Sequence, residues 1–303
     1  MSLLVVGSMA FDSIKTPRGE VREVLGGAAI YFSLAARFLA PAVRLVGVVG
    51  RDFPRESLDL LARAGIDTEG VEIADGKTFR WSGEYFEGMN RRETLSVDLN
   101  VFERFQPRIP DRYRDSEFVF LANASPITQM SVLDQVRSPR FVMADTMDFW
   151  IRSERKALLD LLGRIDGLVI NDDEALLLTE AWSIVRAGKA ILDLGPARVV
   201  VKKGEHGALL FTGDAVVPLP AFPVEDVRDP TGAGDSFAGG LMGYLARRGD
   251  IGPAAFKAAL ANGTVLASFA VEDFGIRRLL EARPDEVSAR LREYCNLLRI
   301  ESA

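Results

Sequence analysis

The sequence predicts an α/β fold, with a mostly parallel central sheet flanked by helices on both faces and a small β-sheet lid. Three observations predict it. Short apolar runs alternate with helical segments along most of the 303 residues. Two stretches, roughly residues 13–25 and 78–100, interrupt that alternation with turn-centred hairpin patterns. A glycine-rich turn within residues 229–237 opens directly into a helix. One domain over residues 1–303, with the two interrupting segments forming the lid, accounts for the whole pattern.

The first apolar run, residues 2–6, reads as a buried strand. It ends at Gly7-Ser8 and brings Asp12 to the carboxyl edge of the sheet, where open α/β sheets bind ligands. A lone Asp there is also an ordinary turn residue. Pro17-Arg18-Gly19 marks the turn of the first hairpin. Gly26-Gly27 then precedes an apolar helix over residues 30–40, and paired glycines at such a place let a ligand approach the backbone closely. Residues 43–49 form the next buried strand and 57–64 an amphipathic helix. Gly76-Lys77-Thr78 invites comparison with a Walker A loop. The spacing from Gly70 is one residue too long, however, and an alternating strand follows where a helix is needed. The second hairpin turns at residues 88–92, where Arg91 and Arg92 either meet an anionic substrate or are simply solvated.

Beyond residue 101 the α/β alternation resumes. Residues 118–121 and 140–144 read as strands, the second ending at Asp145. A helix over 153–162 leads to a strand over 167–170 and the group Asn171-Asp172-Asp173-Glu174. That group suits a helix N-cap with acids in the first turn, and equally a hydrated divalent cation that needs only one or two protein oxygens. Strands over 198–201 and 208–211 flank the turn from Lys202 to Gly207. A long helix of small residues over 253–270 contains Asn262, and a last helix spans 284–298.

A net charge of −6 argues against a general nucleic-acid or anionic-membrane surface, which needs a basic excess. No apolar run approaches the ~20 residues of a membrane span, and no secretory leader pattern is present, so a cytoplasmic protein is expected. The single cysteine, Cys295, rules out an intrachain disulfide. The single histidine, His206, has no metal or triad partner in the sequence and reads as a loop residue.

The densest chemistry lies in Asp229-Pro230-Thr231-Gly232-Ala233-Gly234-Asp235-Ser236-Phe237. Asp229-Pro230 is turn chemistry, and the two glycines free the backbone to aim several N–H groups one way. Phe237, Leu241, Tyr244 and Leu245 share one helical face, so those N–H groups sit at a helix N-terminus, where an anion is favoured. Asp235 is an acid beside that site. An N-cap role alone would explain Asp235, but not the second Asp, the threonine and the glycines together. Gly239, Gly240 and Gly243 lie inside the helix, each at a cost of about 1 kcal/mol relative to Ala, and predict close packing against a neighbour.

This run, with Ala238-Gly239-Gly240-Leu241-Met242 behind it, closely resembles the C-terminal signature of the ribokinase-like (PfkB) carbohydrate kinases. The resemblance implies a ribokinase-like fold. It assigns Gly232, Ala233 and Gly234 to an anion hole for the transferring phosphoryl group, and Asp235 to the base that takes the acceptor hydroxyl's proton. It places Asp12 on two acceptor hydroxyls, Gly26 and Gly27 against the acceptor, and the two hairpins as a lid above it. Asn171 and Glu174 match the family's Asn-x-x-Glu motif, which organises Mg²⁺ through its waters. Lys202, Gly204 and Gly207, together with Thr231 and Asn262, fall on the nucleotide side, and ATP is the implied donor. Asp229 is a candidate for a monovalent cation such as K⁺. Many sugar kinases of the family carry Asn where this chain has Tyr31, and that departure leaves the acceptor open.

The implied activity is transfer of the γ-phosphoryl group of ATP to an alcohol of a sugar or sugar-like small molecule. A nucleoside acceptor is the alternative, because Tyr31 and Phe32, with Trp81 or Phe79 on the lid, could stack on a base. Those aromatics could equally fill the seam between lid and core. A catalytically inactive ligand-binding regulator on the same scaffold is the reading from another class; the presence of Asp235 and the glycines stands against it. Exposed lid edges invite pairing, which gives a homodimer through the lid as a further expectation.

Overall fold

The computed structural model describes residues 1–299. The chain runs β1 (Ser2–Val6), β2 (Ala10–Thr16), β3 (Gly19–Gly26), α1 (Ala28–Ala36), β4 (Ala42–Gly50), α2 (Arg55–Arg63), β5 (Ile66–Ala74), β6 (Phe79–Tyr85) and β7 (Arg92–Asp98). It continues with β8 (Phe118–Leu121), α3 (Pro126–Leu133), β9 (Phe141–Asp145), α4 (Asp148–Ser153), α5 (Arg155–Leu162), β10 (Gly167–Asn171), α6 (Asp172–Thr179) and α7 (Ile184–Leu192). Then come β11 (Arg198–Lys202), β12 (Ala208–Phe211), β13 (Val216–Leu219), α8 (Ala233–Arg248), α9 (Pro253–Ala270), α10 (Arg277–Glu281) and α11 (Pro284–Leu297).

Nine strands form one sheet in the order β13-β12-β11-β10-β9-β8-β1-β4-β5. From β5 to β11 every pairing is parallel, and β12 and β13 add an antiparallel edge. The chain winds outward from β1 through β4 to β5, then restarts at β8 on the other side of β1. The carboxyl ends of β1 and β8 therefore form the switch point at which such sheets leave a crevice.

Alternate strand residues feed two cores. Leu3, Val5 and Val169 pack with α1, α8 and α9 on one face; Leu4, Val6 and Ile170 pack with α5, α6 and α7 on the other. Burial on both sides is why the central strands read as unbroken apolar runs. β5 has no such run. Its Asp67, Glu69, Gly70 and Glu72 hide the strand pattern, which is tolerable because β5 lies at the sheet edge.

The smaller sheet has the order β3-β2-β6-β7. Both hairpins are antiparallel, and a parallel seam between β2 and β6 joins them into one sheet. β2 begins at Ala10, earlier than the hairpin pattern indicates. Asp12 is thus a lid-strand residue, not a loop residue.

The glycines inside α8 meet backbone on both sides. A Cβ on Gly240 would lie 2.8 Å from Asn262 O and 2.9 Å from Gly263 Cα of α9. One on Gly243 would lie 3.0 Å from Ala36 O of α1, and Gly239 faces Phe32 O in the same way. α8 is wedged between α1 and α9 with no room for side chains. Gly240→Ala is therefore expected to lower stability by about 1–3 kcal/mol, the usual range for overpacking. Gly213→Ala, where the added methyl meets open space, should leave the thermal melt unchanged. Equal melting temperatures for the two variants would show that α8 can step away from α9 freely.

Candidate active site at the carboxyl edge of the sheet

α8 begins at Ala233 and is capped by Gly232 in the left-handed region, with φ 73°. A side chain at Gly232 would be strained by that φ and would also strike the Tyr31 ring, which lies directly against it. Ser236 N–H and Ser236 Oγ both donate to Gly232 O, at 2.8 and 2.7 Å, and fasten the turn to the helix. Ala233 N–H donates to Pro230 O at 3.2 Å. Among the described residues, the Gly232 and Gly234 N–H groups have no hydrogen-bond partner, so two of the three predicted amides are free for an anion.

Asp229 anchors this turn. It is fully buried; its Oδ1 accepts from Thr231 N–H at 2.8 Å and its Oδ2 from Gly275 N–H at 2.9 Å. Those two bonds account for the acid as a clamp between the turn and the segment after α9. Thr231 Oγ1 meets the hydroxyl of Tyr85 on the lid at 3.2 Å.

Two strand ends supply charges. Lys202 ends β11 and Asp145 ends β9, and Lys202 Nζ lies 3.5 Å from Asp145 Oδ2. A Cβ on Gly234 would come within 2.9 Å of the same ammonium. Burial works against the Lys202 charge, but Asp145, Glu174 and Asp235 more than offset it and hold the pKa above its ordinary value. Desolvation, reinforced by Asp145, raises the Asp235 carboxyl to about 6, against the opposing pull of Lys202 and of Arg92 on the lid.

Glu174 is raised to about 7 by desolvation and Asp145. Its backbone N–H donates to Asn171 Oδ1 at 2.8 Å, and its Oε2 accepts from Asn171 N–H at 3.0 Å, a reciprocal cap on α6. The cap leaves Glu174 Oε1 to meet the waters of a hydrated ion. Among the described residues no cluster of His, Cys, Asp or Glu could grip a metal directly. A water-mediated Mg²⁺ fits this donor set, and the free amides with Lys202 fit a phosphate.

On the acceptor side Asp12 is buried against Gly26, where any Cβ would overlap its carboxylate. Burial pushes Asp12 up to about 7; the Gly27 N–H opposes this, while Asp229 and Asp235 add to it. Gly27 itself caps α1 with φ 96°. The Tyr31 hydroxyl is buried without a partner among the described residues, facing Asp12, Asp229, Tyr85 and Asp235.

Other expected contacts fall elsewhere. Phe32 stacks on Phe120 at 4.3 Å inside the core, and Phe79 stacks on Phe102 at 5.6 Å, so neither is free to hold a base. Trp81 remains on the lid, with the Arg92 guanidinium 5.5 Å from its ring centre. Arg91 lies over Phe86 instead. Asn262 is buried at the α8–α9 seam and donates to Ala258 O at 2.8 Å. Gly207 is packed against the backbone of residues 219–221, a role in the turn itself. Gly204 is exposed at the tip of that turn, 2.9 Å (from an ideal Cβ) from Asn90 Oδ1, and Asn90 Nδ2 donates to Glu205 Oε1 at 2.7 Å. His206 and Cys295 are both exposed and lie outside the cluster.

Sequence reasoning missed Asp145, Tyr85 and Asn90 as site residues. The signal for Asp145 was its place at a strand end on the carboxyl edge; nothing local marks the other two.

Residues 2–283 match the family model described as pfkB family carbohydrate kinase. A cytidine kinase of Thermococcus kodakarensis is 31% identical over 255 residues, covering 80% of this chain and 88% of the relative. A nucleoside kinase of Methanothermobacter thermautotrophicus is 29% identical over 287 residues, covering 90% of each. The fold is similar to that of the Burkholderia thailandensis nucleoside kinase in complex with inosine, with TM-score 0.80 and 20% identity over 97% of this chain and 99% of that one.

The Asp229 clamp makes a stability prediction independent of any ligand. Asp229→Ala leaves the buried Gly275 N–H without an acceptor, at about 1–3 kcal/mol, and frees the half-buried Thr231 N–H as well. A marked drop in melting temperature is expected, and an unchanged melt would show that the clamp is idle.

Proposed function

The chain belongs to the pfkB family of carbohydrate kinases, a family of phosphotransferases, and on that premise we propose that it transfers the γ-phosphoryl group of ATP to a hydroxyl of a nucleoside. The observation that carries the transfer chemistry is Asp235, placed at the N-terminus of α8 beside two unpaired amides and the Lys202 ammonium. Asp235 takes the proton of the acceptor hydroxyl as that oxygen attacks phosphorus. The Gly232 and Gly234 amides, with the helix dipole behind them, stabilise charge on the phosphoryl oxygens. Bound Mg²⁺ supplies further neutralisation of phosphate charge, and Glu174 is the residue whose free carboxylate oxygen would meet its waters, with Asn171 holding it in place.

Asp12 orients the acceptor by receiving hydrogen bonds from its hydroxyls. The nucleoside reading is supported by the cytidine and nucleoside kinases among the relatives and by Trp81, which stays half-buried on the lid strand. A free sugar is the second reading. It is favoured by the loss of Phe32 and Phe79 to packing, which thins the aromatic surface offered to a base. Assaying ADP production with ATP and Mg²⁺ against nucleosides, free sugars and inositols separates the two. Turnover with cytidine or another nucleoside well above that with ribose is the expected result, and the reverse ranking overturns the acceptor assignment.

Both cleft carboxylates must be ionised to work, and both folded-state pKa values lie above the ordinary 3.8, at about 7 for Asp12 and about 6 for Asp235. The active form is therefore complete only above about 7. kcat/KM is expected to fall as pH drops from there, and a profile flat down to pH ~5 would sink the assignment of the base.

Asp235→Asn should lower kcat by roughly 10²–10⁴. A raised carboxyl pKa also means that the ionised form destabilises the fold, a penalty present above the folded pKa and relieved as pH falls below it. The same variant should consequently melt higher than wild type at pH ~8, where that charge is fully present. Wild-type turnover in Asp235→Asn would refute the role.

A further inference from the structure

A lysine is an unexpected residue to find at the N-terminus of α8. The helix dipole and the unpaired Gly232 and Gly234 amides already make that end positive, and a cation is better placed at the other end of a helix. Lys202 Nζ nevertheless rests against Gly234. Lys202 leaves β11 at its last residue, in register with Asn171 of β10, yet the charge it meets is one strand further away. The pair with Asp145 reaches over the end of β10.

Asp145 is braced from behind. Its Oδ1 accepts from Thr146 N–H at 2.8 Å. Its backbone carbonyl accepts from Gln129 Nε2 at 2.9 Å, and the same buried amide reaches Leu121 O and Ala122 O at the end of β8. The carboxylate is thus fixed to the sheet, with Oδ2 turned to Lys202. A cation held in an unfavourable place by a braced counter-ion is local frustration of the kind that marks a working site.

We infer that Asp145 is a positioning residue: it holds the Lys202 ammonium against the residue 232–234 amides, so that cation and amides together take the oxygens of a γ-phosphoryl group, and it keeps that ammonium from pairing with Asp235. The inference rests on the phosphotransfer reading. The other carboxylates acting on Lys202 are Glu174 and Asp235. Without Asp145, a pair between Lys202 and Asp235 would occupy the oxygen that has to receive the acceptor's proton. Asp145 itself exchanges nothing in the reaction. The acceptor oxygen forms the new bond to phosphorus, the bond from phosphorus to the leaving ADP oxygen breaks, and the proton ends on Asp235.

The test compares ADP with the β,γ-imido analogue of ATP by calorimetry, in the presence of Mg²⁺, for wild type, Asp145→Asn, Lys202→Met and the double variant. Asp145→Asn is expected to weaken the analogue about tenfold while ADP binding stays within about twofold, because only the analogue carries a γ-phosphoryl group. With the best acceptor, kcat should fall about 100-fold with little change in acceptor KM. In the Lys202→Met background, Asp145→Asn should add no further loss, since a residue acting only through another has nothing left to act on.

Equal weakening of ADP and the analogue by Asp145→Asn would overturn the inference, as would a full additional loss in the double variant. Melting temperatures are recorded first, and Asp145→Ser replaces the Asn variant if that one does not fold. A wild type that prefers the analogue to ADP but phosphorylates no acceptor would sink the nucleoside reading and leave the binding comparison able to decide on Asp145. A wild type that binds the two nucleotides equally would sink the inference alone.

Discussion

The N-terminus of α8 can face the cleft only because the helix behind it is pressed to backbone contact on two sides. Gly239 and Gly243 meet α1 and Gly240 meets α9, so the helix has no freedom to slide or rotate. Its position in turn fixes the left-handed cap at Gly232, the two unpaired amides and Asp235 one turn in. The same contact brings α1 close enough for the Tyr31 ring to lie against Gly232. One packing constraint therefore sets the relation between the phosphoryl side and the acceptor side of the site.

Around that fixed point the chain gathers more negative charge than burial favours. Asp12, Asp145, Glu174 and Asp235 are all raised by desolvation, and Lys202 is the cation that several of them share. A stable core would not choose this arrangement. It becomes intelligible if phosphate, a hydrated divalent ion and acceptor hydroxyls complete the set of partners. Asp229 is raised by burial as well, but its two oxygens are committed to backbone N–H groups, and its place in the signature is explained by the turn it holds.

Much of the fold was legible because the central strands are buried on both faces. β1 and the long helix α9 match their apolar runs to the residue, with Pro253 marking the helix start. β5 escaped notice because its acids and Gly70 suit an edge, where only one side of the strand needs a partner. The signature turn was legible as chemistry because its residues are contiguous. Asp145, Tyr85 and Asn90 were not, since their partners Lys202, Thr231 and Glu205 are remote in sequence and only the topology brings them together. Phe32 stayed open between stacking on a base and packing inside for a related reason. α1 is apolar on every side and wholly buried, so periodicity could not tell which of Tyr31 and Phe32 faces the cleft.

The lid links these parts. The parallel seam between β2 and β6 makes the two hairpins one body, so that Asp12 on β2, Tyr85 on β6 and Arg92 on β7 are carried together. That body touches the rest of the site at two further points, Tyr85 on Thr231 of the phosphoryl turn and Asn90 on Glu205 of the turn after β11. With the lid in this position the cleft is desolvated, and desolvation is the leading cause of the raised Asp235 and Asp12 carboxyls. Admitting water would return both toward ordinary carboxylates, which are weaker bases. The strength of the proposed base is thus a property of the closed assembly and not of Asp235 alone, and the acceptor under the lid is also what the lid must enclose for that strength to exist.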